Sequence, residues 1–326
     1  MIKVKMNLDI IIVNWNAGLQ LRECLDSILC SNLNGINISS VVVVDNASSD
    51  ASADGLEDTG LPLIVIYNKE NLGFGAACNQ GAKNSVADYL LFLNPDTRLS
   101  EDSLNKSVFF MNKPENQDIG IVGIQLVNDD HVAQTCARFP QPGKFFSKMV
   151  GLDYLFPKLF PSYLMTEWDH NDSREVDHVI GAFFLVRRSL FELLHGFDER
   201  FFVYLEDLDF SLRAKQVGFQ SFFLKDVEAY HKGGGTSQQI KATRLFYSLR
   251  SRILYSYKHF NWGIATCLLI GTILLEPISR VMLGIARRSV KEIFETFNGY
   301  TKLWFAVPTI LKAALLGGNN EDTSPQ

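Results

Sequence analysis

At 326 residues, with 47% hydrophobic and 21% charged composition, the chain can bury one large α/β core plus a modest appendage, which excludes disordered and fibrous classes. Its five cysteines (Cys24, Cys30, Cys78, Cys136, Cys267) are odd in number and form no Cys-x-x-Cys pair, so neither a disulfide framework nor a zinc site is expected, and a reducing cytoplasm fits. The net charge of −5 hides an asymmetry: residues 1–240 hold 20 Lys and Arg against 31 Asp and Glu, whereas residues 241–326 hold 11 against 5.

The apolar run from Leu8 to Val13 is too short for a secretory segment, so export is not expected. Strand-like runs then alternate with helical patterns. Asp9–Asn14 precedes a helix near Gly18–Cys30, Ser40–Asp45 a helix near Asp50–Glu57, and Leu63–Tyr67 a helix near Gly73–Val86. The run Tyr89–Leu93, a helix near Glu101–Asn112 and a strand near Ile119–Leu126 follow. Alternating β and α elements predict parallel strands in an open, doubly wound α/β sheet. From Thr135 to Asp177 the pattern fades into an aromatic, Pro-rich stretch that reads as a long loop with short helices. A strand over Gly181–Arg188 and a helix over Leu205–Val217 restore it. In the tail, Trp262–Leu275 is an apolar run broken by Glu276-Pro277 and followed by Arg280, Arg287, Arg288 and Lys291. A span needs roughly twenty apolar residues, so a helix lying on an anionic membrane surface is expected; a core helix or a homodimer contact is the competing use. Trp304–Leu316 is a weaker segment of the same type.

Ligands of open α/β sheets sit at the C-terminal ends of the strands. Those ends read Asn14-Trp15-Asn16, Asp45 to Asp50, Asn68-Lys69-Glu70-Asn71 and Asn94-Pro95-Asp96. Taken alone, Asn94-Pro95-Asp96 is an ordinary turn; at the tip of a buried strand, Asp96 is also where a metal ligand beside a phosphate belongs. The turn Asn71-Leu72-Gly73-Phe74-Gly75 is glycine-rich, as phosphate-approaching turns are, but it lies on the third crossover and lacks dinucleotide-binding spacing. Glu206-Asp207-Leu208-Asp209 packs three carboxylates into four residues, after the aromatic Phe201-Phe202-Val203-Tyr204. Such crowding should raise at least one carboxylate pKa, which favours a general base. Asp209 pairs with Arg213 at i,i+4 and takes the structural role, leaving Asp207 as the base. His231, beside Gly233-Gly234-Gly235, is placed to complete a metal site or bind a phosphate in a flexible loop.

In order and spacing, Ile11 to Asn16, Val43 to Asp50, Asn71 to Phe74, Asn79-Gln80-Gly81, Phe92 to Asp96, Gly181-Ala182-Phe183, Gly196 to Glu199 and Glu206 to Asp209 resemble the inverting family 2 glycosyltransferases of glycosyltransferase-A fold, in their rhamnosyltransferase-like branch. The resemblance covers roughly residues 8–237. It implies a catalytic domain over 1–240, with a nucleotide-sugar half to about 127 and an acceptor half over 128–240. A basic amphipathic, membrane-associating helical region over 241–318 and a disordered tail over 319–326 complete the expected organisation.

By the same resemblance, Asn14, Asn16, Asp45, Asn71, Gly73, Asn79, Asn94 and Asp96 line the donor nucleotide site, with Asp45 reading the base. Asp96, joined by His231, holds Mg2+ or Mn2+ on the donor diphosphate. Asp207 is the catalytic base, and Glu206 and Gly181 lie on the acceptor side. The family's metal motif is Asp-x-Asp; here Asn94 takes the first place, leaving Asp96 with most of the ligation.

The expected partners are a nucleotide-diphosphate sugar, with dTDP-L-rhamnose the first choice, and a glycan or polyprenyl-diphosphate-linked acceptor; no nucleic acid is expected. The enzyme is then cytoplasmic and peripheral on the inner face of the membrane, in cell-surface polysaccharide synthesis. The rivals are a nucleotidyltransferase acting on sugar phosphates, whose usual glycine-rich basic signature Asn14 to Gly18 lacks, and a non-catalytic membrane scaffold.

Overall fold

A computed structural model describes residues 5–56, 59–129, 136–233 and 241–316. Its chain divides into two compact units: Met1–Phe139 with Leu164–Glu199 and Glu206–Thr236, and Pro140–Tyr163 with Arg200–Leu205 and Ser237–Gln326. The second unit thus takes two segments from inside the range read as catalytic domain. The tail over 319–326 lies outside the described residues.

In the first unit the apolar runs become strands β1 (Met6–Asn14), β2 (Ile36–Asp45), β3 (Leu63–Tyr67), β4 (Tyr89–Leu93), β5 (Thr97–Leu99), β6 (Ile119–Val127), β7 (Arg174–Val176), β8 (Phe183–Arg187) and β9 (Gln220–His231). Among the described residues they form one sheet of order β3-β2-β1-β4-β8-β6-β9-β5, with β7 beside β9. The β3-β2-β1-β4 half is parallel, whereas β8 runs antiparallel to β4 and β6. This antiparallel insertion brings the start of β8 to the tip of β4.

Side chains alternate across a strand, so the central strands fill two cores. Ile10 and Ile12 of β1 pack with Leu91 and Leu93 of β4 on one face, and Ile11 and Val13 with Leu90 and Phe92 on the other. The first unit's helices are α1 (Leu19–Leu29), α2 (Phe74–Ala82) and α3 (Ser103–Met111). In the second unit α4 (Pro142–Met149) and α5 (Leu152–Leu155) come from the Pro-rich stretch, and the first unit then continues with α6 (Arg188–Leu193) and α7 (Glu206–Gln216).

The expected helix near Asp50–Glu57 is absent: the chain through Leu56 is turns. Asp50 spends its carboxylate on the N–H groups of Gly18 (2.8 Å) and Ser52 (3.0 Å), and Ala51 has φ 56°, so no helical turn nucleates. The chain before His231 is likewise a twelve-residue strand, β9, rather than a loop; Gly234 and Gly235 lie outside the described residues.

The second unit continues with α8 (Lys241–His259), α9 (Trp262–Ile270), a π-helical turn over Gly271–Leu275, α10 (Glu276–Ala286) and α11 (Val290–Leu316). Glu276-Pro277 does not break the apolar run as expected. A π-helical turn lies just before Glu276-Pro277, and helix continues from Trp262 to Ala286, 25 residues long. By length and composition this helix can cross a membrane. Glu276 is 1% exposed and held by Arg252 and by Arg280 (2.8 Å). The α10 residues Ile278, Met282 and Ile285 form an exposed i,i+4,i+7 stripe.

Candidate active site

The ends of β1 and β2 are stitched together before any ligand arrives. Asn14, wholly buried, donates from Nδ2 to Asp45 Oδ1 (2.7 Å) and also lies near Ser48 Oγ (3.1 Å) and Ser52 Oγ (2.8 Å). Its Oδ1 is a buried acceptor without a partner among the described groups. The Ser48 N–H donates to Asp45 Oδ2 (3.0 Å), and the Asn16 N–H donates to Ser48 Oγ (2.9 Å). Asn16 Oδ1 in turn accepts from the Ser49 N–H (2.7 Å). Asn16, Ala47 and Ala51 all adopt positive φ, 51°, 58° and 56°, and such cost is paid where surrounding contacts fix the backbone.

Next to this lies the β3–α2 turn. Gly73 has φ 91°, which only glycine adopts without strain, and its N–H donates to Asn71 Oδ1 (2.9 Å). Its carbonyl accepts from Asn46 Nδ2 (3.0 Å), while Asn46 Oδ1 accepts from Asn68 (2.9 Å). Asn79 is spent differently: it bonds both the N–H and C=O of Phe197 (2.8 Å each), anchoring Gly196 to Glu199. A Cβ on Gly196 would meet Asn79 Oδ1 at 2.4 Å, so glycine is required for that contact.

The tip of β4 is a turn, as the Asn-Pro-Asp triplet predicts, with the Thr97 N–H donating to the Asn94 carbonyl (3.1 Å). Asp96 Oδ1 lies 3.3 Å from His231 Nε2, because β5 and β9 pair Thr97 with His231. His231 Nδ1 is buried and without a partner among the described residues. Asp96 also lines a cavity of about 430 Å³ with Arg98, Lys232, Tyr230, Glu23 and Asp129, none of which stood out in the sequence. No three His, Cys, Asp or Glu side chains converge as a metal site among the described residues. One carboxylate with one imidazole still fits a divalent ion that takes its remaining oxygens from substrate phosphates and water.

Asp207 stands in the first turn of α7, its side chain 20% exposed. Its Oδ2 accepts from the Gly181 N–H (3.1 Å) and lies 3.5 Å from His178 Nε2; its Oδ1 accepts from the Leu208 N–H (2.8 Å). A Cβ on Gly181 would come within 2.6 Å of Oδ2, so glycine admits the carboxylate. The next residue, Ala182, gives its carbonyl to the Asn94 N–H (3.0 Å) and the Thr97 hydroxyl (3.3 Å). Two consecutive residues, Gly181 and Ala182, thus bind the two ends of the site.

Burial pushes Asp207 up, but the His178 ring and the N–H groups of Leu208 and Gly181 outweigh it and hold the carboxyl below its usual range. Glu206 goes the other way: 4% exposed, with Oε2 unpartnered among the described residues, it is raised well above the usual value by burial, then by Asp207. The expected raised carboxyl in this cluster is therefore Glu206, not the base candidate. Cys78 is raised by burial and by both carboxylates. Asp209, wholly buried, pairs with Arg213 at 2.8 Å, as its spacing predicts.

The sequence model of the Glycosyl transferase family 2 matches residues 9–194, more than half of the chain. The N-acetylglucosaminyl-diphospho-decaprenol L-rhamnosyltransferase of Mycobacterium tuberculosis is 23% identical over 275 residues, covering 78% of this chain and 86% of that protein. The rhamnosyltransferase WbbL of Escherichia coli is 27% identical over 251 residues, covering 66% and 91%. Among solved structures, a mannosyltransferase of Pyrobaculum calidifontis in complex with GDP-Man and Mn2+ has a TM-score of 0.53 at 16% identity, covering 98% of this chain and 88% of that one. Residues 1-349 of TarS from S. aureus in complex with UDP-GlcNAc give 0.54 at 15% identity, covering 95% and 82%. The chain belongs to glycosyl transferase family 2, with the glycosyltransferase-A fold and rhamnosyltransferase-like relatives, and is a glycosyltransferase.

Proposed function

We propose that this family 2 glycosyltransferase moves L-rhamnose from dTDP-L-rhamnose to a hydroxyl of a polyprenyl-diphosphate-linked saccharide, inverting the anomeric carbon, in the synthesis of a cell-surface polysaccharide. The sugar and the acceptor class are supported by the names of the rhamnosyltransferase relatives. The chemistry is supported chiefly by Gly181 and Ala182, which tie the Asp207 carboxylate and the β4 tip into one rigid unit.

In this reading Asp45 and Asn14 form a preformed receptor for the nucleotide base, and Asn16 and the Asn71–Gly73 turn flank it. Asp96 and His231 would hold Mg2+ or Mn2+ on the diphosphate; such an ion, when bound, withdraws charge from the departing phosphate, a contribution of several kcal/mol. Asp207 accepts the proton of the acceptor hydroxyl. The hydroxyl oxygen forms its bond to the anomeric carbon from the face opposite the nucleotide, the carbon–phosphate oxygen bond breaks, and the nucleoside diphosphate leaves with that electron pair. A carboxylate held ionised by two backbone N–H groups is in the proton-accepting form at neutral pH. Asp207→Asn keeps the shape and removes the proton acceptor. It should lower transfer about 10²–10⁴-fold with nucleotide affinity retained, measured as dTDP release and by calorimetry. Near-normal turnover of this variant would reject the assignment.

The same reading places the enzyme at the cytoplasmic face of the membrane, where a lipid-linked acceptor is met. Glu276, 1% exposed, and Arg280 lie within the apolar helix, with Glu276 also held by Arg252 of α8, and ionisable groups there favour a helix lying on the surface over one that crosses it. Replacing Ile278, Met282 and Ile285 together by Glu should abolish co-sedimentation with vesicles containing anionic lipid, and undiminished binding would exclude this face as the contact.

A further inference from the structure

We infer that His178 is the positioning residue of the catalytic base, its ring holding the Asp207 carboxylate ionised and fixed in orientation; the inference rests on Asp207 being that base. The sequence gives no hint of this, since His178 is a lone histidine at the edge of the irregular stretch.

The ring is 5% exposed and is fixed at both ends. Its backbone N–H and C=O both bond Ala137, each at 3.0 Å, which sets the root of the side chain. Nδ1 lies 3.0 Å from Ser211 Oγ, one turn along α7 from Asp207, and Nε2 lies 3.5 Å from Asp207 Oδ2. Ser211 Oγ is also 3.0 Å from the Asp207 carbonyl. A serine has one proton to give. When that proton goes to the carbonyl, Nδ1 must carry its own hydrogen, and a carboxylate facing Nε2 then calls for a second hydrogen there. When the serine proton goes to Nδ1 instead, the neutral ring carries its hydrogen on Nε2. Both arrangements aim an N–H at Asp207.

Neighbouring titratable groups include Glu206, Asp209 and Cys78, and Asp177, the residue before His178, pairs with Lys215 of α7 at 2.9 Å. Asp209 is already matched by Arg213. Burial disfavours charge on Asp207, and the His178 ring supplies the compensating partner together with the Gly181 and Leu208 N–H groups. The ring touches the base and not the reacting atoms in this arrangement, so its effect is read through the titration of Asp207.

The test compares His178→Phe, which fills the volume without a nitrogen, and His178→Gln, which keeps an N–H donor without charge, in the full-length enzyme. The acid limb of kcat/KM against pH, with dTDP-L-rhamnose and an N-acetylglucosaminyl-diphospho-polyprenol as probes, reports the ionisation of the base in the free enzyme. In His178→Phe that limb should move to higher pH by about one to three units, with activity recovering on the alkaline side. In His178→Gln it should move less, and this variant carries the test if His178→Phe does not fold. Carboxyl ¹³C NMR of Asp207 in the free protein should show the same upward shift without any substrate. A limb and a carboxyl titration that stay in place in both variants would overturn the inference, as would a loss of activity uniform across pH. Asp207→Asn, run beside them, separates the two readings. If it stays active, the base assignment fails; if it is inactive while the His178 variants titrate as the wild type, only the role of His178 falls.

Discussion

Around the ends of β1, β2 and β3 the site is built mostly from amides and hydroxyls that bond one another: Asn14 with Asp45, Asn16 with Ser48 and Ser49, Asn46 with Asn68 and Gly73. At the start of α7 it is built from charge, with Asp207 depressed, Glu206 raised and His178 between the carboxylate and Ser211. The first region owes its shape to neutral amides and hydroxyls closing on the Asp45 and Asp50 carboxylates. The second depends on which groups are ionised, with Glu206 and Asp207 pushed in opposite directions.

The contrast is sharpest at Gly181. Adding one methyl group there, in Gly181→Ala, thrusts a Cβ against Asp207 Oδ2 and must displace the carboxylate. An offset on the order of 1 Å should cost about 10²-fold in kcat, while donor affinity stays at the wild-type level. A matching loss in donor affinity would show that the two ends are not separable. Asp96→Ala should act in the opposite sense. Donor affinity at a fixed Mn2+ concentration should fall about tenfold, or about 1.4 kcal/mol, and a calorimetric titration should lose its dependence on the metal. Metal dependence that persists unchanged would remove Asp96 from the ligand set.

The smallest effect belongs to Glu206. Its folded pKa is raised, so the stability it contributes is complete below the unfolded value of about 4.3 and is lost as pH rises toward the folded value. Asp207, with a depressed folded pKa, contributes stability above about 3.9 that is lost as pH falls through its folded value. Glu206→Gln should leave the acid side of a Tm profile in place and flatten the decline on the neutral and alkaline side. A profile parallel to the wild type at every pH would mean that Glu206 does not titrate within the fold.

Much of the donor end was legible in the sequence because it lies at strand ends, where an apolar run stops at a polar residue. Asn14, Asp45 and Asp96 are of this kind, and the i,i+4 spacing of Asp209 and Arg213 marks the ion pair found between them. No helix forms between Asp50 and Leu56 because the Asp50 carboxylate binds the N–H groups of Gly18 and Ser52, while Ser49 donates to Asn16 Oδ1. Strand β9 was missed because the Lys225-Asp226 pair and the register shift opposite Ile124 and Gln125 interrupt its alternation. His178 and Ser211 carry no local pattern at all: their relation exists only after α7 and the segment beside Ala137 are packed.

The Ala182 carbonyl has a consequence for how this enzyme can diversify. It takes hydrogen bonds from Asn94 and Thr97, and the N–H of Gly181, one residue earlier, donates to Asp207, so the reach between the β4 tip and the Asp207 carboxylate is set by the backbone of two consecutive residues. Peptide units are the same whatever side chains surround them. Side chains around the site can therefore be exchanged without retuning that reach, whereas a single residue inserted between Gly181 and Ala182 would put the β4 tip and the Asp207 carboxylate out of step at once.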